Sequence, residues 1–315
     1  MSRRDRARAS EAREVRPGRA RTTAIFAAAT AFFALAVALG ACGTGAGPDD
    51  DGGGTATTAP GGSLVHPTGE NEVVLRISEG GGFVPVEYNY TMVPEFSLYG
   101  DGRVIVSGPV IAIYPGPALP NLQTAIIPEE AVQAILSAVR EAGLFDPTFE
   151  YGQPSITDVP TATFTVNAGG AGYRSDVYAL GMEAGTNGLS LEQQQARAAL
   201  NDLRGRLIDL TDFVSGEITW TQYEYSALAV YSQAVDPGAM TDPTDVQPGR
   251  LDWPLGDLNT LGEEVPAGFR RVVVSGQDLA TLRLLLEKAT AITLWTSDDR
   301  EYHLFFRPLL PDETS

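Results

Sequence analysis

The sequence predicts an α+β protein: antiparallel sheets with helices packed on one face, in an order that reads as two degenerate copies of one unit. Three observations carry this. Alternating apolar and polar residues are broken by short Gly-rich turns, which is hairpin patterning. Apolar stripes at helical spacing occur singly between those hairpins. Hairpins, rather than the βαβ alternation of a parallel sheet, dominate the chain.

In order along the chain, VVLRIS (Val73–Ser78) is strand-like and ends at the SEGGGF break. PEFSLYGDGRVIVSG reads as a hairpin: Phe96 and Leu98 alternate, Gly100-Asp101-Gly102 turns, and Val104 and Val106 return. VIAIY (Val110–Tyr114) reads as a further strand. IPEEAVQAILSAVREAGLF is a helix, with Pro128 in the first turn, Glu129 and Glu130 facing the positive end of the dipole, and Gly143 ending it. Val132, Ile135, Leu136 and Val139 form its buried stripe. TATFTVNAGGAGYRSDVYAL is a second hairpin that turns near Ala168–Ala171. Ser190 and Gln193 then offer a capping box to a helix through about Leu210, with Ala196, Leu200, Leu203 and Leu207 inward.

The second part repeats this order. ITWTQYEYSALAVYSQAV is strand-like, Asp236–Asn259 is a loop rich in Pro and Asp, and RRVVVSG (Arg270–Gly276) is a strand. GQDLATLRLLLEKAT is a helix with Leu279, Leu282, Leu286 and Ala289 inward. ITLWTSDDREYHLFFRP folds back at Ser297–Asp299. Two copies of one unit would superpose residues 90–180 on 225–307; differing strand orders would exclude them.

The amino-terminal region has a different composition. Residues 1–23 carry eight arginines against Asp5, Glu11 and Glu14, and an uncharged apolar stretch runs from Ala24 to Ala41. A positive region, a short apolar run and small residues before a break make an export signal, and the run is short for a spanning helix. Cys42, the one cysteine of the 315 residues, follows directly. Leu39-Gly40-Ala41-Cys42 resembles the lipobox of bacterial lipoprotein precursors. That resemblance implies cleavage between Ala41 and Cys42, a diacylglycerol thioether on Cys42, an acylated (palmitate-type) amino terminus, and residence on the outer face of the cell membrane. Gly43 to Gly69 is Gly, Thr, Asp, Ala and Pro with little to bury, a flexible tether with an r.m.s. reach of roughly 30 Å.

The expected organisation is therefore a signal peptide over 1–41 and a lipidated cysteine with linker over 42–70. An α+β domain would follow over 71–213, then a second, smaller domain or a continuation over 214–311, and a tail over 312–315. LYGDGRVIV, the IPEEAVQAIL helix and ITDVPTATFTV also resemble, over residues 71–212, an uncharacterised family of exported bacterial domains with a YxDGxV hairpin. That resemblance implies a fold and no activity.

The chain has 22 basic and 40 acidic residues. Without the leader 14 and 37 remain, a net charge of −23 that repels nucleic acid. Lysine occurs once, at Lys288, against 21 arginines, the codon bias of a high-GC organism such as an actinobacterium.

Chemistry-bearing motifs are sparse. His66 lies in the linker and His303 in the last strand, so zinc or copper sites and a Ser-His-Asp triad lack residues, and no metal or cofactor is expected. No P-loop or dinucleotide fingerprint stands between a strand and a helix. Asp236, Asp242, Asp245, Asp252 and Asp257 lack an EF-hand's spacing. Trp220 and Tyr223, with Trp253 in the loop PGRLDWPLGD, are the candidate contact surface, since aromatic side chains in loops favour interfaces.

The leading expectation is a lipid-anchored, non-enzymatic binding or accessory module of the cell envelope. Its partners would be the bilayer, through acylated Cys42, and an envelope protein. The alternatives are a solute-binding component of a transporter and a carboxylate-dependent wall hydrolase.

Overall fold

The computed structural model describes residues 62–182, 188–236 and 246–314. Cys42, Ala41 and the leader lie outside them. The first part of the chain runs β1 (Val73–Gly80), α1 (Val86–Thr91), β2 (Phe96–Tyr99), β3 (Arg103–Ser107), β4 (Leu122–Ile126), α2 (Glu129–Glu141), β5 (Thr161–Ala168), β6 (Ala171–Tyr178), α3 (Leu191–Asp209) and β7 (Thr221–Gln222). Its strands form a seven-stranded antiparallel sheet in the order β6-β5-β1-β2-β3-β4-β7. The second part runs β8 (Ala227–Ala234), β9 (Arg250–Asp252), β10 (Glu263–Val265), β11 (Phe269–Ser275), α4 (Gly276–Leu286), β12 (Leu294–Ser297) and β13 (Arg300–Pro308). These make a six-stranded sheet, β10-β11-β8-β13-β12-β9, in which only β9 and β12 pair in parallel. The α+β class stands.

Local chemistry accounts for most elements. β5 alternates strictly, so Ala162, Phe164, Val166 and Ala168 all face the core. The YGDG turn is determined at two glycines. A Cβ on Gly102, whose φ is +82°, would lie 2.4 Å from the Ile127 carbonyl oxygen, and one on Gly100 would lie 2.6 Å from that of Pro67. Asp101 accepts the Arg103 N–H at 3.0 Å, closing the turn. Ser190 and Gln193 form the reciprocal capping box of α3.

Helices α2 and α3 cover one face of the first sheet. Val132, Ile135, Leu136 and Val139 of α2 and Leu200, Leu203 and Leu207 of α3 join Phe96, Leu98, Val104 and Phe164 in one core. Each such buried side chain stabilises the fold by about 1.5–3 kcal/mol. On the second sheet α4 packs Leu279, Leu282 and Leu286 against Leu228, Val230, Trp295 and Phe306. The opposite faces carry smaller clusters, one of Tyr99, Ile105, Leu122, Tyr223 and Leu310, the other of Ala227, Ala229, Tyr231, Phe269 and Leu309. The consecutive residues Leu309 and Leu310 thus serve both.

Several expectations change. Val110–Tyr114 is not a strand: Pro109, Pro115 and Pro117 remove ladder donors, and the chain loops from β3 to β4. The linker does not extend to residue 70. Leu64 is buried, its N–H and C=O paired with the Gln133 side chain at 2.8 and 3.0 Å, and Val65 accepts the Gly169 N–H at 2.6 Å. Residues 312–313 are not a free tail but a 3-10 turn bound to the first sheet. β7 belongs to the first sheet, so the division between sheets falls after Gln222 rather than at 213. The two sheets also differ in strand order. The hairpin after the helix enters the first sheet by its first strand, with β5 beside β1. It enters the second by its last strand, with β13 beside β8. Two copies of one unit would share an order.

Candidate functional site

The three aromatic residues expected to share a surface do not. Trp253 is 7% exposed and stands edge-on to Trp295, with ring centroids 6.0 Å apart. β9 pairs with β12, and the Trp253 N–H extends that pairing to the Thr296 carbonyl at 2.8 Å. A position in an irregular segment therefore did not mean exposure. Tyr223 is 6% exposed and donates to the Leu309 carbonyl at 3.0 Å; burial pushes its hydroxyl up to about 12. Trp220 is half-buried against the first core. These side chains belong to three different clusters and are packing residues.

The histidines are equally separate. His303 is exposed on β13. His66 is held between the Pro67 carbonyl and the Glu129 carboxylate, 2.6 and 3.1 Å away. Burial works to raise the Glu129 pKa, but hydrogen bonds from Gln133 and His66 outweigh it and hold the carboxyl below its usual range. Among the described residues no group of three or more His, Cys, Asp or Glu side chains is placed to hold a metal ion.

A polar cluster that sequence reading missed lies between β1, β2 and the carboxy-terminal turn. Arg76 donates to both Asp312 oxygens at 2.8 and 2.7 Å, and the Tyr99 hydroxyl donates to the same carboxylate at 2.8 Å. Arg76 also reaches the Ser97 hydroxyl at 3.1 Å. Burial drives the Tyr99 pKa far above its usual value against the nearby Arg76 charge. The Asp312 carboxyl is held low, because Arg76 and Tyr99 together outweigh its desolvation. A fixed cation, a fixed anion and a phenol that stays protonated exchange no proton near neutral pH. The cluster binds the chain end in place.

Two features face outward. One is an open groove of about 800 Å³ between β4 and residues 214–219, lined by Glu70, Asp101, Arg103, Thr124, Ile126 and Glu217 among others. Arg103 is fixed there by the Glu70 carbonyl and the Asp101 carboxylate at 2.9 and 3.0 Å, with its guanidinium 5.7 Å from the Tyr99 ring centroid. The groove mixes one tethered cation with several carboxylates and commits to no single ligand charge.

The other is the loop between β3 and β4. Val110, Ile111, Ile113 and Tyr114 are 68, 68, 59 and 61% exposed. The loop base is fixed: Gly108 donates to the Asn121 carbonyl at 2.7 Å, Asn121 to that of Pro109 at 2.8 Å, and Ala291 to that of Gly116 at 2.9 Å. Ala118 and Leu119 pack on the second core. In this acidic chain, residues 108–122 hold no charged side chain. The loop thus holds large apolar groups out on a fixed base, and exposed apolar side chains gain by being covered. The prolines around VIAIY were the available signal, and apolar content alone pointed to a strand. Among the described residues no helix is long and apolar enough to cross a membrane. No family model, curated protein or solved structure matches the chain.

Proposed function

We propose that this chain is an exported lipoprotein held on the outer face of the cell membrane through Cys42, and that its folded body is a non-enzymatic binding module of the envelope. The observation that supports a binding role is the Val110–Tyr114 loop, four uncharged side chains presented on an anchored base. The anchor reading rests on LGAC following an apolar run, and on a glycine- and aspartate-rich exit where a stop-transfer helix needs none. Two or more acyl chains hold a protein on a bilayer where one does not. The partner is a protein with an apolar recess, since the acidic body repels anionic polymers.

In-cell cross-linking with mass spectrometry tests both parts. The expected result is a diacylated Cys42 peptide, together with a reproducible partner that is lost in Ile111→Asp and Ile113→Asp while Cys42 stays lipidated. An unmodified Cys42 peptide overturns the anchor. A partner retained by both loop variants overturns the contact element.

A further inference from the structure

The sheet edges are unequal. β7, β9 and β10 are two or three residues long, too short to template another strand. β6 is eight residues long, holds one register with β5 from Tyr178 to Ala171, and contains neither proline nor lysine. Its outward pattern follows from its inward one. Gly169 and Gly170 have φ of 64° and 80°, as a two-residue type I′ hairpin requires, so the flanking Ala168–Ala171 pair is hydrogen-bonded. At the other end the Ala179 N–H donates to the Pro160 carbonyl at 2.9 Å. Odd-numbered residues therefore bond to β5, and the N–H and C=O groups of Gly172, Arg174 and Asp176 point to the open side. Arg197 takes the Tyr178 carbonyl at 2.7 Å, which closes that end.

We propose that β6 is a self-association edge: two copies of this chain pair β6 with β6 antiparallel about a two-fold axis at Ser175. Arg174 of each copy then stands opposite Asp176 of the other.

Charge selects this register. Outward groups meet only when even-numbered residues face even-numbered ones. An axis at Arg174 sets arginine against arginine, and an axis at Asp176 sets aspartate against aspartate; like charges directly across destabilise a pair. The axis at Ser175 instead makes two hydrogen-bonded residue pairs, each with opposite charges. It also places Tyr178 over Gly172, an aromatic ring covering a glycine, and Tyr173 beside Val177 on the other face. Arg174 and Asp176 already pair within the strand at 2.8 Å, with side chains 63 and 49% exposed, so both are accessible to exchange partners. Such an interface is isologous and closes at two copies. Confinement on one membrane would raise its occupancy. That last step rests on the Cys42 reading; the edge geometry does not.

Charge reversal tests it with the full chain in non-ionic detergent, by sedimentation across a concentration series. The wild type is expected to dimerise. Arg174→Asp and Asp176→Arg are each expected to weaken the dimer at least roughly tenfold, because each sets like charges across the axis. The double reversal restores it. Amide exchange gives the second readout: the Arg174 and Asp176 amides slow on dimerisation, while those of Tyr173 and Ser175 are protected in both states. A chain that stays monomeric overturns the proposal. So does a dimer indifferent to the single reversals, a folded double reversal that fails to recover, or a dimer without protection at 174 and 176. Mass analysis of the Cys42 peptide in the same sample separates failure of the anchor from failure of the edge.

Discussion

Asp312→Ala is expected to destabilise the fold by about 2–4 kcal/mol. The substitution removes the carboxylate that, among the described residues, takes two hydrogen bonds from the Arg76 guanidinium, whose side chain is 17% exposed. It also leaves the fully buried Tyr99 hydroxyl, which accepts from Arg76 at 2.9 Å, without the acceptor it donates to. Breaking a buried ion pair from one side costs about 3–5 kcal/mol, and the lower range here reflects the partial exposure of both partners. Replacing both, as Arg76→Met with Asp312→Leu, costs less than Asp312→Ala alone, because no unpaired charge remains. Urea titration reads this as a lower midpoint at unchanged slope. The pH dependence follows in sign. The folded Asp312 pKa lies below its unfolded value near ~3.9. The unfolded chain therefore binds more protons between the two values, and the stabilisation is present above the unfolded pKa and lost as pH falls through the folded one. Asp312→Asn flattens that acid limb. A loss below about 0.5 kcal/mol for Asp312→Ala, or an unchanged acid limb in Asp312→Asn, would refute the reasoning.

Further outcomes follow from other sites. Arg197, 1% exposed, gives hydrogen bonds to the Tyr178 and Ala179 carbonyls at 2.7 and 2.9 Å, so Arg197→Ala leaves buried acceptors and a cavity. It should cost about 3–5 kcal/mol, read as a Tm drop of roughly 10 °C. Gly102→Ala combines positive φ with the 2.4 Å clash and should cost about 1–3 kcal/mol in the same melt. Ile111→Asp and Ile113→Asp should change stability by less than about 0.5 kcal/mol while abolishing the cross-linked partner. A large stability loss would mean that the loop packs rather than protrudes.

What was legible in the sequence is what neighbours along the chain decide. The α3 capping box needs only Ser190 and Gln193, the α2 stripe needs only helical spacing, and the YGDG turn needs its glycines. What was not legible depends on pairing across distance. Arg76 and Asp312 are 236 residues apart, and nothing near either announces the other. Trp253 lies in an irregular stretch, and only the pairing of β9 with β12 reveals its burial. VIAIY carries apolar content without a face to bury it. Local pattern could not separate a covered strand from a presented loop, and the prolines were the better guide.

Crossed contacts decide whether the two sheets behave as two domains. α1 follows β1 in sequence, yet Tyr90 stacks on Tyr231 of β8 at 4.8 Å and donates to the Pro266 carbonyl at 3.0 Å. Arg307 on β13 donates to the Met92 carbonyl at 2.8 Å. Pro117, on the loop from β3, bridges to Thr290 beyond α4. The carboxy-terminal turn places Leu309 in one cluster and Leu310 in the other, and Asp312 binds back to β1. A chain cut near residue 213 would expose each of these contacts as apolar or polar surface without a partner. Thermal unfolding of the body should therefore be a single transition, with equal calorimetric and van't Hoff enthalpies. Asp312→Ala should lower that transition as a whole, since the turn belongs to both sheets. Two resolved transitions, with only the first sheet's moved by Asp312→Ala, would show that the sheets are separate domains in contact.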